Sequence, residues 1–175
     1  MSQGVFNATG APERSVRQSD ARVDTLVRAH AASHPGALAV AAVDATLTYG
    51  QLCSRAAGLA LTLRNLGVGP DVPVGLCVPR SAALVVGALA VLEAGGAYLA
   101  MDPTYPVERL RYMLADSQAP VVLTSAASPA IDGPGVAVID LDRARDGTID
   151  PPAADAIDDL AYVIYASGST GAPKG

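Results

Sequence analysis

Residues 82–92 form the longest apolar run in the chain: two alanines, then Leu84, Val85, Val86, Gly87, Ala88, Leu89, Ala90, Val91 and Leu92. At eleven residues it falls short of the ~20 needed to cross a bilayer. With no polar side, it cannot lie on a water-exposed surface either. The spacing predicts a helix from Ser81 through Ala94, stopped by Gly95 and Gly96 and covered on several faces. Valine-rich, strand-length runs flank it at residues 72–78 and 97–101. A strand, a buried helix and a second strand joined by short Gly/Pro connections are the unit of a parallel sheet.

The rest of the chain extends this pattern. Asp24 is placed as the cap of a helix ending near Ser33, with His34, Pro35 and Gly36 as its stop. Residues 38–43 and 46–48, joined by a turn at Asp44 and Ala45, read as a hairpin. Leu52, Ala56, Leu59, Leu63 and Leu66 recur at steps of four and three, one face of a helix. Pro106 opens a further helix to Asp116, with Val107, Leu110 and Leu114 inward. Residues 121–124, 136–139 and 160–166 complete the strands. The fold class is α/β, a mostly parallel sheet with helices on both faces. Residues 1–21 are polar and aperiodic and read as a linker; residues 22–175 form the folded unit.

A net charge of −5 argues against a nucleic-acid or anionic-membrane surface. Cys53 and Cys77 each sit among apolar neighbours, as buried free thiols do. His30 and His34 read as surface residues of the first helix, and the sequence gives no ground for a Ser-His-Asp set. The start, MSQGVFNATG, has neither the basic nor the apolar region of a secretory signal, and a cytoplasmic protein is expected.

Chemistry concentrates at the C-terminus. An apolar strand runs into Ser167, Gly168, Ser169, Thr170, Gly171, Lys174 and Gly175. Eleven arginines carry the other positive charges, and Lys174 is the single lysine. Glycines let backbone N–H groups turn toward an anion, hydroxyls add donors, and the ammonium adds a compact cation. The pattern predicts a cradle for a triphosphate, with a flexible Ser/Gly linker as the alternative. It is not a Walker loop, because Lys174 lies between Pro173 and Gly175 rather than before Ser or Thr. Gly67-Val68-Gly69 follows a helix and lacks a third glycine, so a dinucleotide fingerprint is absent.

Residues 162–175, YVIYASGSTGAPKG, resemble the phosphate-loop signature of the adenylate-forming superfamily, which includes adenylation domains of nonribosomal peptide synthetases, acyl-CoA ligases and luciferases. Residues 47–52, LTYGQL, resemble the first signature segment of amino-acid adenylation domains. Residues 92–106, LEAGGAYLAMDPTYP, resemble the second, which residues 108–114 continue. Asn7-Ala8-Thr9 looks like the linker between condensation and adenylation domains. The resemblance implies the first part of the large N-terminal subdomain of an enzyme that joins an amino acid to the α-phosphate of ATP with Mg²⁺, then passes it to a phosphopantetheine thiol on a carrier domain. Ser167, Gly168, Ser169, Thr170, Gly171, Lys174 and Gly175 would bind the β- and γ-phosphates. Metal ligands, the substrate pocket and the catalytic C-terminal lysine of the family would lie outside these residues, so the segment alone is expected to be inactive and to leave an apolar sheet edge at residues 160–166. Ala166 stands where the family usually has threonine and is expected to weaken ATP binding; Glu93 stands where lysine is common, and Ala100 where proline is common. An acyl-CoA ligase, or a non-catalytic remnant, is the alternative.

Overall fold

Five strands that all run in one direction organise the chain. The computed structural model describes residues 22–143, 147–148 and 159–165. In chain order the elements are α1 (Val23–Ser33), β1 (Leu38–Ala41), β2 (Thr46–Thr48), α2 (Tyr49–Asn65), β3 (Pro73–Leu76), α3 (Ala82–Ala94), β4 (Ala97–Ala100), α4 (Val107–Ser117), β5 (Val121–Thr124), β6 (Ala137–Asp140), a 3-10 turn (Leu141–Arg143) and β7 (Tyr162–Val163). The main sheet has the order β6-β5-β3-β4-β7, and every neighbouring pair is parallel. β1 and β2 form a separate antiparallel hairpin.

Side-chain alternation along the central strands explains the layers. Val74, Leu76, Val121 and Leu123 face one side, where Leu59 and Leu63 of α2 and Val86, Leu89 and Ala90 of α3 cover them. Cys77, Leu99 and Val122 face the other, beneath Leu110, Met113 and Leu114 of α4. The strands are therefore buried on both faces, which is why their sequences are almost continuously apolar. Gly95 ends α3 with φ of 93°, and a Cβ on Gly96 would stand 2.9 Å from the Val72 carbonyl oxygen. The paired glycines of the second signature segment thus serve the turn from α3 into β4. Among the described residues no helix is long and apolar enough to cross a membrane.

Several expectations are corrected. Asp24 does not cap α1. It lies buried in the helix's first turn with its carboxylate on the Arg22 Nε at 3.1 Å, while Arg22 occupies the cap position. Leu66 is 44% exposed, because it follows the last helical turn and leaves the apolar face. Cys53 is half-buried, and only Cys77 is fully enclosed. The last strand shortens to two residues, paired with β4 as Tyr98↔Tyr162 and Leu99↔Val163. It forms one edge of the described sheet, and Leu160, Tyr162 and Ile164 are exposed there, in line with the apolar edge expected.

Three arginines converge on the carboxyl end of α3, which sequence periodicity does not reveal. Arg22 Nη2 donates to the Leu92 carbonyl at 2.6 Å, Arg64 Nη2 to the Glu93 carbonyl at 2.7 Å, and Arg28 Nε to Glu93 Oε1 at 2.9 Å. These cations meet the negative end of the helix dipole and tie α1 and α2 to α3. Glu93 is completely buried, and burial pushes its carboxyl above the ordinary range against the opposing pull of Arg28.

Two outcomes follow from this cluster. Glu93→Lys would set a cation against Arg28 and Arg64 and is expected to cost about 3 kcal/mol in urea unfolding, part of which Arg28→Glu restores. A loss near zero, or no rescue, contradicts the pairing. Because burial raises the Glu93 carboxyl, the folded chain holds that proton more tightly than the unfolded chain does. Relative to Glu93→Gln, the native chain is therefore expected to lose stability as pH rises through the carboxylate range, from ~4.3 upward. Parallel stability profiles for the two chains speak against a raised carboxyl.

Candidate functional site

Because all five strands are parallel, their carboxyl ends lie along one edge. The loops leaving β3 and β4 pass to opposite faces, since α3 packs on one side of the sheet and α4 on the other. In open parallel sheets ligands sit outside the carboxyl ends, where such loops diverge. A groove of about 720 Å³ runs there, with Val78, Val85, Tyr98 and Met101 among its apolar walls and Arg80 and Asp102 among its charged groups. The Asp102 carboxylate accepts from the Thr104 backbone N–H at 2.9 Å and its hydroxyl at 2.7 Å, and these bonds hold it below the ordinary carboxylate range.

An anion needs donors that are not already used, and two of the helix N-termini are taken. At α3, Ser81 Oγ accepts from the Leu84 N–H at 3.3 Å, and the Asp44 carboxylate accepts from the Ala82 N–H at 3.1 and 3.3 Å. The negative charge that this helix end favours is thus supplied by the hairpin turn. At α2, Thr48 and Gln51 form a reciprocal capping box, with bonds of 3.3 and 3.0 Å. Sequence reading placed Asp44 in its turn but missed its role across the fold. No local signal marks a partner 38 residues away.

Every phosphate-binding candidate from the sequence, namely Ser167, Gly168, Ser169, Thr170, Gly171, Lys174 and Gly175, lies outside the described residues, as does Ala166. The described chain does carry the approach to them. β7 runs beside β4 toward the carboxyl edge, and Tyr165 packs among Cys77, Leu99 and Met113 with 7% of its surface exposed. Its hydroxyl donates to Asp116 Oδ2 of α4 at 2.5 Å. Burial and that carboxylate push the phenol well above its ordinary range, so it remains a donor at physiological pH. The structure therefore fixes the position two residues before Ser167.

Other candidates carry no chemistry at this edge. Burial pushes the Cys77 thiol up to about 11, which leaves it protonated and unreactive near neutral pH. His30 and His34 stack on each other at 4.8 Å on the exposed end of α1. Among the described residues no group of three or more His, Cys, Asp or Glu side chains gathers as metal ligands do.

The chain belongs to the AMP-binding enzyme family, which matches residues 27–175. It is 48% identical over 155 residues to tyrocidine synthase 3 of Brevibacillus parabrevis, covering 86% of this chain and 2% of that protein. It is also 48% identical over 155 residues to chondramide synthase cmdD of Chondromyces crocatus, covering 83% of this chain and 4% of the relative. A solved nonribosomal peptide synthetase, FmoA3 with α-methyl-L-serine-AMP bound, is similar with a TM-score of 0.73 at 32% identity, over 87% of this chain and 17% of that one. The N-terminal subdomain of Klebsiella oxytoca NpsA shares the fold, with a TM-score of 0.74 at 21% identity over 88% of this chain and 41% of that one. The chain spans 2% and 4% of the length of the two synthases and less than half of either solved chain.

If Asp44 caps α3 across the fold, Asp44→Ala lowers unfolding stability by about 1 kcal/mol. Equilibrium denaturation measures this, and no change beyond error would mean that the cap is not formed in solution.

Proposed function

We propose that this member of the AMP-binding enzyme family forms the first part of the large N-terminal subdomain of an amino-acid-adenylating ligase of nonribosomal peptide synthesis. Residues 1–21 act as the linker from a preceding condensation domain, and residues 22–175 begin the adenylation domain, whose remainder lies outside this segment. The carboxylate of an amino acid attacks the α-phosphorus of ATP, pyrophosphate leaves, and the aminoacyl-AMP is delivered to a phosphopantetheine thiol on a carrier domain in the cytoplasm. Membership of the family and the close likeness to peptide synthetases support this reading over an acyl-CoA ligase.

In this reading the chain contributes positioning and charge rather than bond-making groups. Ser167, Ser169 and Thr170 donate to the β- and γ-phosphates, Lys174 neutralises them, and Gly168, Gly171 and Gly175 allow the backbone to approach. Held this way, the α-phosphorus is presented for in-line attack and the departing charge is stabilised. Mg²⁺ accompanies ATP and lowers the phosphate charge when bound, and in this reading its ligands come from the part of the enzyme outside this segment. The observation that supports the proposal is that β7 and the buried Tyr165 lead to the carboxyl edge of a parallel sheet, two residues before the first Ser of the Ser/Thr/Gly/Lys sequence.

In the intact enzyme, Lys174→Ala is expected to lower amino-acid-dependent ATP–pyrophosphate exchange by about tenfold or more, since a lost charge-assisted phosphate contact is worth about 1.5–3 kcal/mol. Unchanged ATP affinity and turnover would remove the proposal's basis.

A further inference from the structure

We propose that Asp116 and Tyr165 form a positioning pair for the phosphate-binding tail, in which the Asp116 carboxylate on α4 holds the Tyr165 hydroxyl and so sets where the chain leaves the sheet. The inference rests on the proposed phosphate role of residues 167–175. Neither residue is expected to touch the nucleotide.

The geometry carries it. The ladder between β7 and β4 ends at Val163, and Ile164 is exposed. Tyr165 is thus the last described attachment point before the tail. Its ring is buried on the α4 side of the sheet, beside Leu99 and Met113. The Tyr165 ring is buried while Asp116 lies at the surface, and the bond of 2.5 Å from the hydroxyl to that carboxylate is of the charge-assisted kind. Tyr112, one turn before Asp116 on α4, packs edge-on to Tyr165 at 6.5 Å and reaches the second carboxylate oxygen at 3.4 Å. α4 is itself seated on the sheet by Leu110, Met113 and Leu114. The pair therefore links a rigid helix to a point two residues before Ser167. Two residues of extended chain span ~7 Å, so freeing Tyr165 would let the first donors of the tail swing by several ångströms. Misplacement of even ~1 Å at a reacting centre can cost ~100-fold in rate.

The test is made in the intact enzyme, by amino-acid-dependent ATP–pyrophosphate exchange together with thermal unfolding. Tyr165→Phe removes only the hydroxyl and Asp116→Ala removes its acceptor. Each is expected to raise KM for ATP or lower kcat by about tenfold while KM for the amino acid stays constant, and the double variant should be no worse than either single one. Asp116→Asn keeps an acceptor oxygen and should recover part of the loss. Arg111→Ala, on the same helix but paired with Asp132 at 2.6 Å, should leave ATP kinetics unaltered. If Tyr165→Phe fails to fold, Asp116→Ala and Asp116→Asn still decide the matter. Variants that melt earlier but keep their ATP kinetics would reduce the pair to a structural tie and overturn the inference. Lys174→Ala separates the two levels: if it is impaired while these variants are normal, only the pair is wrong. If Lys174→Ala is normal as well, the phosphate reading fails and takes the pair with it.

Discussion

The constraint on which the structure depends is the enclosure of α3. A helix with Leu84, Val85, Val86, Leu89, Val91 and Leu92 in a single stretch has no polar face, so other elements cover most of it and leave Val85 exposed on the groove. The sheet takes one side and α2 another, and polar groups tie down both ends. Asp44 of the hairpin occupies the amino end, and arginines from α1 and α2 occupy the carboxyl end. Apolar burial supplies the stabilisation, chiefly through Val86, Leu89, Ala90 and Val91. The charged contacts specify the arrangement: a shifted α1 would leave Glu93 buried without Arg28, a cost of several kcal/mol.

Once α3 is seated, the direction of the sheet follows, and with it the location of chemistry. A helix that links β3 to β4 on one face makes the two strands parallel, and α4 repeats the operation on the other face toward β5. All carboxyl ends then gather along one edge. β7 lies beside β4, so the described chain reaches, at Tyr165, the edge where open parallel sheets bind ligands. The phosphate reading therefore draws on the fold as well as on the composition of the tail. A Ser/Gly-rich stretch at the opposite edge of the sheet would have no comparable claim.

Much of this was legible in the sequence. The α2 periodicity, the apolar α3, the stop at Gly95 and Gly96 and the parallel-sheet pattern all follow from hydrophobic spacing and turn chemistry, which act within a few residues. The polar contacts were not legible. Asp24 looked like a helix cap because Asp commonly is one, yet its carboxylate faces Arg22. Glu93 stands out in the sequence only as a residue where lysine is common, yet it is fully buried against a residue 65 positions earlier. Asp116 was only the end of a helix until Tyr165 came to lie against it from 49 residues away. Partner choice among polar groups depends on juxtaposition in space, for which a single sequence carries no periodic signal. The shortness of β7 has a similar origin, since a strand's length depends on the neighbour that pairs with it. The tail itself lies outside the described residues, so its role rests on its composition, on family membership and on the edge to which β7 leads.

The central claim is that residues 167–175 surround the terminal phosphates of ATP. Amide hydrogen exchange on the intact enzyme, followed by mass spectrometry of the peptide spanning these residues, tests it most directly. The account expects protection of these amides by a non-hydrolysable ATP analogue and little protection by AMP, which lacks the β- and γ-phosphates. Saturating analogue with no change in their exchange, or equal protection by AMP, would contradict it.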